Sequence, residues 1–192
     1  MSDKITWNQI PGYFTFPTTY DRAVELAKNG DNFIEIGAYL GRSTAYMVQK
    51  IRESGKQINL FTIDPWTSES LEKCCMKCDV DDLFSQFQDY MKKAGAWDDI
   101  VPIRKTAEEA CKDFIGLRFK FIFVDGSHLE EDVRTDILKY FPLLTDDGWM
   151  AGDDYNGAGG VKAAVDSVFP KERIKFIGPS NYPSWYVDAY SL

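Results

Sequence analysis

The stretch Phe33-Ile34-Glu35-Ile36-Gly37-Ala38-Tyr39-Leu40-Gly41-Arg42-Ser43-Thr44 constrains the fold more than any other part of the chain. An apolar run ends in an acid and a glycine, crosses a short turn to a second glycine, and opens into a helix. That is the pattern of a first strand, a tight turn and a first helix in an open α/β sheet. Gly37 lets the backbone leave the strand with dihedrals that other residues avoid. Gly41 removes a Cβ from the path of a ligand or of the helix. The middle glycine of a dinucleotide-binding G-x-G-x-x-G is replaced by Tyr39, which blocks the close approach a pyrophosphate needs. Glu35 adds a carboxylate where that pyrophosphate would sit. A cationic or zwitterionic nucleoside fits this turn better than NAD does.

Downstream, strand and helix patterns alternate. Strands are expected over Phe33–Ile36, Ile58–Ile63, Ile100–Ile103, Phe119–Val124 and Trp149–Gly152, with two closing strands near Ile174–Ile177 and Trp185–Val187. Apolar residues recur at helical spacing from Thr19 to Lys28, in Thr44, Met47, Val48 and Ile51, and in Leu83, Phe87 and Tyr90. They do so again in Val133, Ile137 and Tyr140, and from Val161 to Phe169. Gly55 and Gly95 close two of these helices. Thr106 with Glu109 has the form of a capping box. Such alternation predicts a doubly wound, mostly parallel sheet with helices on both faces. The 192 residues are read as one domain. Its first 30 residues form an arm and helix, and an irregular insertion over residues 66–80 carries Cys74, Cys75 and Cys78.

Several segments in this order resemble the class I S-adenosylmethionine-dependent methyltransferases. They are Phe33 to Thr44, Ile63-Asp64-Pro65-Trp66, Phe121 to His128, Leu143 to Tyr155 and Gly160 to Val165. Within that class the chain is similar to the small metal-dependent O-methyltransferases of macrolide and aminocoumarin sugars, over roughly Asn32 to Phe169. The resemblance implies a Rossmann-like, seven-stranded sheet whose closing strands make an antiparallel edge. It also implies a homo-oligomer, since small members of this fold without a lid domain often complete their pocket with a neighbouring subunit.

Charge and hydropathy narrow the partners. The formal net charge is -8, and Lys and Arg are scattered among acids. Such a chain repels phosphate backbones, so nucleic acid is not an expected partner. No apolar run approaches the roughly 20 residues of a membrane span, and no apolar signal core follows the N-terminus. A cytoplasmic protein with free thiols and a small-molecule acceptor is expected. The three clustered cysteines make an incomplete zinc set.

Candidate site residues lie at the carboxyl ends of the expected strands, where open α/β sheets bind ligands. Asp64 stands about 20 residues beyond Gly41, at the distance of an acid that accepts from both ribose hydroxyls; Asp-Pro is also turn chemistry. Glu35 either binds the methionine part of the cofactor or is a buried structural acid. Gly37, Ala38, Gly41 and Ser43 belong to the same binding turn. The resemblance places adenine beside Thr106 and Ala107. Asp125, Asp153 and Asp154 suit Mg²⁺ or another hard divalent cation, and acids at these positions hold the metal in the resembling sugar O-methyltransferases. A solvated acidic loop is the alternative. His128, the single histidine, is the candidate base, with Asp125 beside it. His128 could equally be a surface residue in the first turn of a helix capped by Ser127 and Glu130. The resembling enzymes often carry an acid where Ser127 stands. Trp66, Tyr155, Tyr182 and Trp185 are candidate walls of an acceptor pocket.

The reading that gathers these features is an S-adenosylmethionine-dependent O-methyltransferase for a small hydroxylated acceptor, assisted by a divalent metal. Two others remain open at this level: a related hydroxylase or oxidoreductase, and a non-catalytic protein of the same fold that acts through partners.

Overall fold

A computed structural model describes residues 4–69, 82–157 and 159–189. Its frame is one seven-stranded sheet in the order β3-β2-β1-β4-β5-β7-β6. The strands are β1 (Asn32–Ile36), β2 (Asn59–Ile63), β3 (Ile100–Ile103), β4 (Phe119–Val124), β5 (Leu144–Gly152), β6 (Lys175–Ile177) and β7 (Ser184–Asp188). The first five run parallel. β7 pairs antiparallel with both β5 and β6, so the two closing strands form the antiparallel edge expected from the sequence.

Among the described residues, six α-helices flank the sheet: α1 (Pro17–Leu26), α2 (Arg42–Ser54), α3 (Leu83–Lys93), α4 (Ala107–Ala110), α5 (Glu130–Tyr140) and α6 (Val161–Val168). The period-2 alternation of the strands sorts their side chains into two cores. Phe33, Phe121, Phe123 and Trp149 face one way and pack beneath α1, α2 and α3. Ile34, Ile36, Ile122 and Met150 face the other way, beneath α4, α5 and α6. Because helices cover both faces, a central strand must be apolar throughout. β4 meets this demand with all six residues buried. Its one charge, Lys120, reaches Asp147 at 2.9 Å, and this partner draws the Asp147 carboxyl down to about 2.

Two elements start more than one residue from the sequence expectation. α1 begins at Pro17, which occupies the first turn and needs no hydrogen-bond acceptor there. β5 begins five residues early, because Leu144 already pairs with Phe119 across an irregularity in the ladder. The N-terminal arm is irregular but packed. Ile10 and Phe16 are buried, and Trp7 lies edge-on to Phe14 and Tyr46. Among the described residues, no helix is long and apolar enough to cross a membrane.

The strand order reverses between β1 and β4, and this switch point opens a crevice beyond their carboxyl ends. The two tips meet closely. Asp125 N donates to Ile36 O at 2.8 Å. A Cβ on Gly37 would stand 1.9 Å from the Asp125 carbonyl oxygen, and Gly37 has φ +91°. We therefore predict that Gly37→Ala costs about 2–5 kcal/mol, combining left-handed strain with overlap. Gly55→Ala should cost only about 1–2 kcal/mol, since Gly55 also has positive φ but a Cβ there meets nothing within 4 Å. Denaturant unfolding of the two variants checks the contrast; equal losses would contradict it.

Candidate active site

A cavity of about 1330 Å³ lies beyond the carboxyl ends of β1, β2, β3, β4 and β5. That exceeds the roughly 300–1,000 Å³ of ordinary small-molecule pockets and leaves room for a nucleoside and a second molecule. One side is the turn that leaves β1, where Gly37, Ala38 and Tyr39 line the cavity. Asp64, at the tip of β2, grips this turn. Its Oδ2 accepts from Ala38 N (3.1 Å) and Tyr39 N (3.0 Å), and its Oδ1 accepts from Trp66 N (2.6 Å). Trp66 closes the clasp by donating its indole N–H to Tyr39 O at 2.7 Å. Tyr39 is held at φ +48°, a conformation non-glycine residues avoid. A carboxylate offers about four acceptor sites. Three are taken by the backbone, which leaves about one acceptor site on Asp64.

Glu35 is not on the cavity wall. It lies beneath the turn, 2% exposed, inside a cage of four hydroxyls. Oε1 accepts from Tyr20 Oη (2.8 Å) and Ser43 Oγ (2.6 Å). Oε2 accepts from Thr44 Oγ1 (2.5 Å) and Thr62 Oγ1 (3.1 Å). Burial pushes its carboxyl up, while the four donors pull it down. Of the two readings of Glu35, the buried structural acid is the one this geometry fits, because every lone pair already has a donor. Gly41 departs from the ligand contact in a similar way: a Cβ there would meet Met91 Sδ at 2.7 Å and Phe87 at 2.9 Å, so α3, not a ligand, uses the missing side chain. Ser43 both lines the cavity and serves the cage.

Thr106 and Ala107 line the cavity beyond β3. The Thr106–Glu109 capping box is formed, so Thr106 is at once a cap and a wall residue. The Ser127–Glu130 capping box is not. Ser127 Oγ instead accepts from Leu129 N at 3.1 Å, and α5 starts two residues later than a Ser127 cap would place it. His128 therefore precedes the helix.

The tips of β4 and β5 bring Asp125, His128 and Asp154 together, with one potential ligand atom from each within 4.8 Å of the others. His128 Nε2 stands 2.9 Å from Asp154 Oδ2, and this contact raises the imidazole pKa. Asp125 is pushed well up by burial and by the neighbouring charges of Asp153, Asp154 and Glu35. Asp153 borders the cavity but turns its Oδ2 to Thr15 Oγ1 at 2.9 Å. The cluster thus holds His128 in the place where the sequence put Asp153. Its donors, two carboxylates and an imidazole, fit a divalent cation, and the repulsion recorded at Asp125 is what such an ion relieves.

Trp66, Tyr155 and Trp185 are buried in the cores and do not line the cavity; Tyr182 does. Cys74, Cys75 and Cys78 lie outside the described residues. Cys111 is half-buried just after α4, and burial raises its thiol pKa.

Two contributions escaped the sequence reading. The arm reaches the site through Thr15 and is tied down by Arg42 Nη1 donating to Gly12 O at 2.6 Å. Nothing local in the sequence signals a contact between residues 138 apart. The second is Asp136, an acid on the buried stripe of α5 that also borders the cavity. Its signal was available as a charge between Val133 and Ile137 in an apolar stripe. Burial pushes its carboxyl up to about 7; Asp132 and Glu108 add to the rise and Lys139 opposes it. Tyr140 and Cys111 also lie within its field.

The sign of the resulting pH dependence follows. Below pH about 4 the carboxyl is protonated in both states and contributes nothing. Between there and about 7 the unfolded chain ionises while the folded one keeps its proton, so stability falls as pH rises. Asp136→Asn should therefore gain stability on wild type as the pH is raised from 4 to 8, with the gap constant above that window. Denaturant unfolding of the unliganded protein at several pH values measures it; a gap that does not change with pH contradicts it.

Comparison with known proteins agrees with this architecture. A family model described as "Methyltransferase domain" matches residues 34–155, well over half of the chain. No curated protein sequence matches. Among solved structures, the O-methyltransferase NovP superposes with a TM-score of 0.70 at 14% identity, over 90% of this chain and 78% of that one. The O-methyltransferase from Bacillus cereus in complex with S-adenosylhomocysteine gives 0.61 at 14% identity, over 93% and 83%. An rRNA methylase from Streptococcus thermophilus gives 0.63 at 12% identity, over 91% and 95%. At such identities the structural likeness speaks for the fold, and the family match carries the assignment: the chain belongs to the methyltransferase domain family.

Proposed function

We propose that this methyltransferase uses S-adenosylmethionine to methylate a hydroxyl of a small acceptor, with help from a hard divalent cation. The observation that carries the reading is the convergence on one cavity of three features: the Gly37–Tyr39 turn, the Asp64 carboxylate and the Asp125–His128–Asp154 cluster. The S-adenosylhomocysteine bound in the Bacillus cereus enzyme supports the cofactor. When bound, S-adenosylmethionine supplies a methyl group on a sulfonium, and a divalent cation supplies charge that lowers the pKa of an acceptor hydroxyl.

The chain's own residues do the rest. The backbone of the Gly37–Tyr39 turn, held by Asp64 and Trp66, offers a fixed edge to the nucleoside. The remaining acceptor site of Asp64 orients the ribose. Asp125 and Asp154 would hold the cation, joined by Asp153, so that His128 is left to act as the base. Asp154 fixes the ring of His128 through Nε2, which leaves Nδ1 as the atom that takes the acceptor proton. Carboxylates outnumber Lys and Arg side chains around the cavity. That field favours a sulfonium and disfavours a phosphate backbone, so a small molecule is a better acceptor than nucleic acid.

Calorimetric titration of S-adenosylhomocysteine tests the cofactor. One equivalent is expected to bind, and Asp64→Ala should weaken binding at least about 10-fold. No binding to folded, ligand-free protein would overturn the reading. For the metal, chelation should slow methyl transfer at least about 10-fold with recovery on adding Mg²⁺. A rate indifferent to chelator would remove the cation from the proposal.

A further inference from the structure

Two aromatic residues of the arm clamp the residue between them. Phe16 is buried, with its ring 4.3 Å from that of Phe123 on β4. Phe14 stands edge-on to Phe16 at 4.8 Å and leans on Tyr46 of α2 at 4.9 Å. With both neighbours packed against the core, Thr15 is left exposed on the cavity wall. The arm has little room to shift there. Pro17 starts α1 two residues later, and Arg42 holds Gly12 O three residues before. From this fixed position Thr15 Oγ1 donates to Asp153 Oδ2 at 2.9 Å. The same carboxylate draws on the backbone N–H of Asp154, so about two of its four acceptor sites stay open. Asp153 precedes Asp154 directly, and its charge acts on Asp125. It thus stands at the edge of the Asp125–His128–Asp154 cluster. Repulsion from the two neighbouring acids would turn an unheld carboxylate towards water; a donor on the arm opposes that turn.

We propose that Thr15 is a positioning residue whose hydroxyl holds Asp153 ready to join Asp125 and Asp154 around a divalent cation. The assignment rests on the cation reading above and extends it to the N-terminal arm. A donor that fixes a ligating carboxylate before the ion arrives removes part of the ordering cost of binding, and losing such a donor typically weakens metal affinity about 10–100-fold. Thr15 is exposed, which puts its effect at the low end of that range. The arm would then serve the ion without ligating it: aromatic packing of Phe14 and Phe16 sets the hydroxyl, the hydroxyl sets the carboxylate, and the carboxylate meets the cation.

The test measures equilibrium binding of Mn²⁺, followed by the paramagnetic resonance of the free ion, to wild type, Thr15→Val and Thr15→Ser. S-adenosylhomocysteine binding to the metal-free proteins and thermal unfolding are measured alongside. Thr15→Val keeps the shape and loses the hydroxyl; it should bind Mn²⁺ about 10-fold more weakly than wild type. Thr15→Ser keeps the hydroxyl and should stay within about 2-fold of wild type. S-adenosylhomocysteine affinity should change by less than about 2-fold in both, since the bond serves the cation and not the nucleoside. Unchanged Mn²⁺ affinity in folded Thr15→Val overturns the proposal. Tighter Mn²⁺ binding also overturns it, because Thr15 would then be keeping Asp153 from the ion. A parallel loss of Mn²⁺ and S-adenosylhomocysteine in Thr15→Val, or a Thr15→Ser variant as weak as Thr15→Val, overturns it too, by showing that the residue only braces the arm. Failure of folded wild type to bind Mn²⁺ is a different result: it removes the cation from the proposed function and this assignment with it.

Discussion

The buried carboxylate of Glu35 is the interaction on which the rest of the site depends. Taking a carboxylate out of water costs several kcal/mol, and only a full set of hydrogen bonds offsets that cost. Here the set comes from four places in the chain: Tyr20 on α1, Ser43 and Thr44 on α2, and Thr62 on β2. One side chain at the tip of β1 thus joins two helices to two strands directly beneath the cavity. The hydroxyls are short and three of the four come from Ser or Thr, so the cage is tight enough to fix α2 against β1.

Above the cage, the turn from Gly37 to Gly41 has little freedom. Asp64 takes two of its N–H groups and Trp66 takes the Tyr39 carbonyl. Gly37 permits the β4 tip to come within contact, and Gly41 lets α3 close over the start of α2. The consequence is a cavity edge set before any ligand arrives, which lowers the ordering cost of binding. The opposite edge has another character. Asp125, Asp153 and Asp154 gather like charges that repel, partly offset by His128, with Asp154 at φ +58°. Strain and repulsion of this sort collect where a ligand or a proton is handled.

Most of the fold was legible in the sequence because its signals are local. Strand β4 announces itself as an unbroken apolar run, and α2 as Met47, Val48 and Ile51 between two glycines. The carboxyl-edge residues Gly37, Asp64, Asp125, His128, Asp153 and Asp154 were legible for the same reason: each lies within a few residues past the carboxyl end of a strand, and all six border the cavity. What failed to show was the direction in which a side chain points. Glu35 sits at a strand tip like Asp64, but the period of the strand turns it into the core, where hydroxyls from distant segments wait. Asp153 turns to Thr15 of an arm that lies far away in sequence. Trp66 and Trp185 look like pocket walls by position, yet their size places them in the cores.

The most direct test of this account is paired measurement of stability and S-adenosylhomocysteine affinity for Glu35→Gln. The amide cannot accept from all four hydroxyls, so unfolding free energy should fall by about 2 kcal/mol or more, while the folded variant binds the ligand about as tightly as wild type. Unchanged stability with lost affinity would contradict the account and return Glu35 to the cofactor.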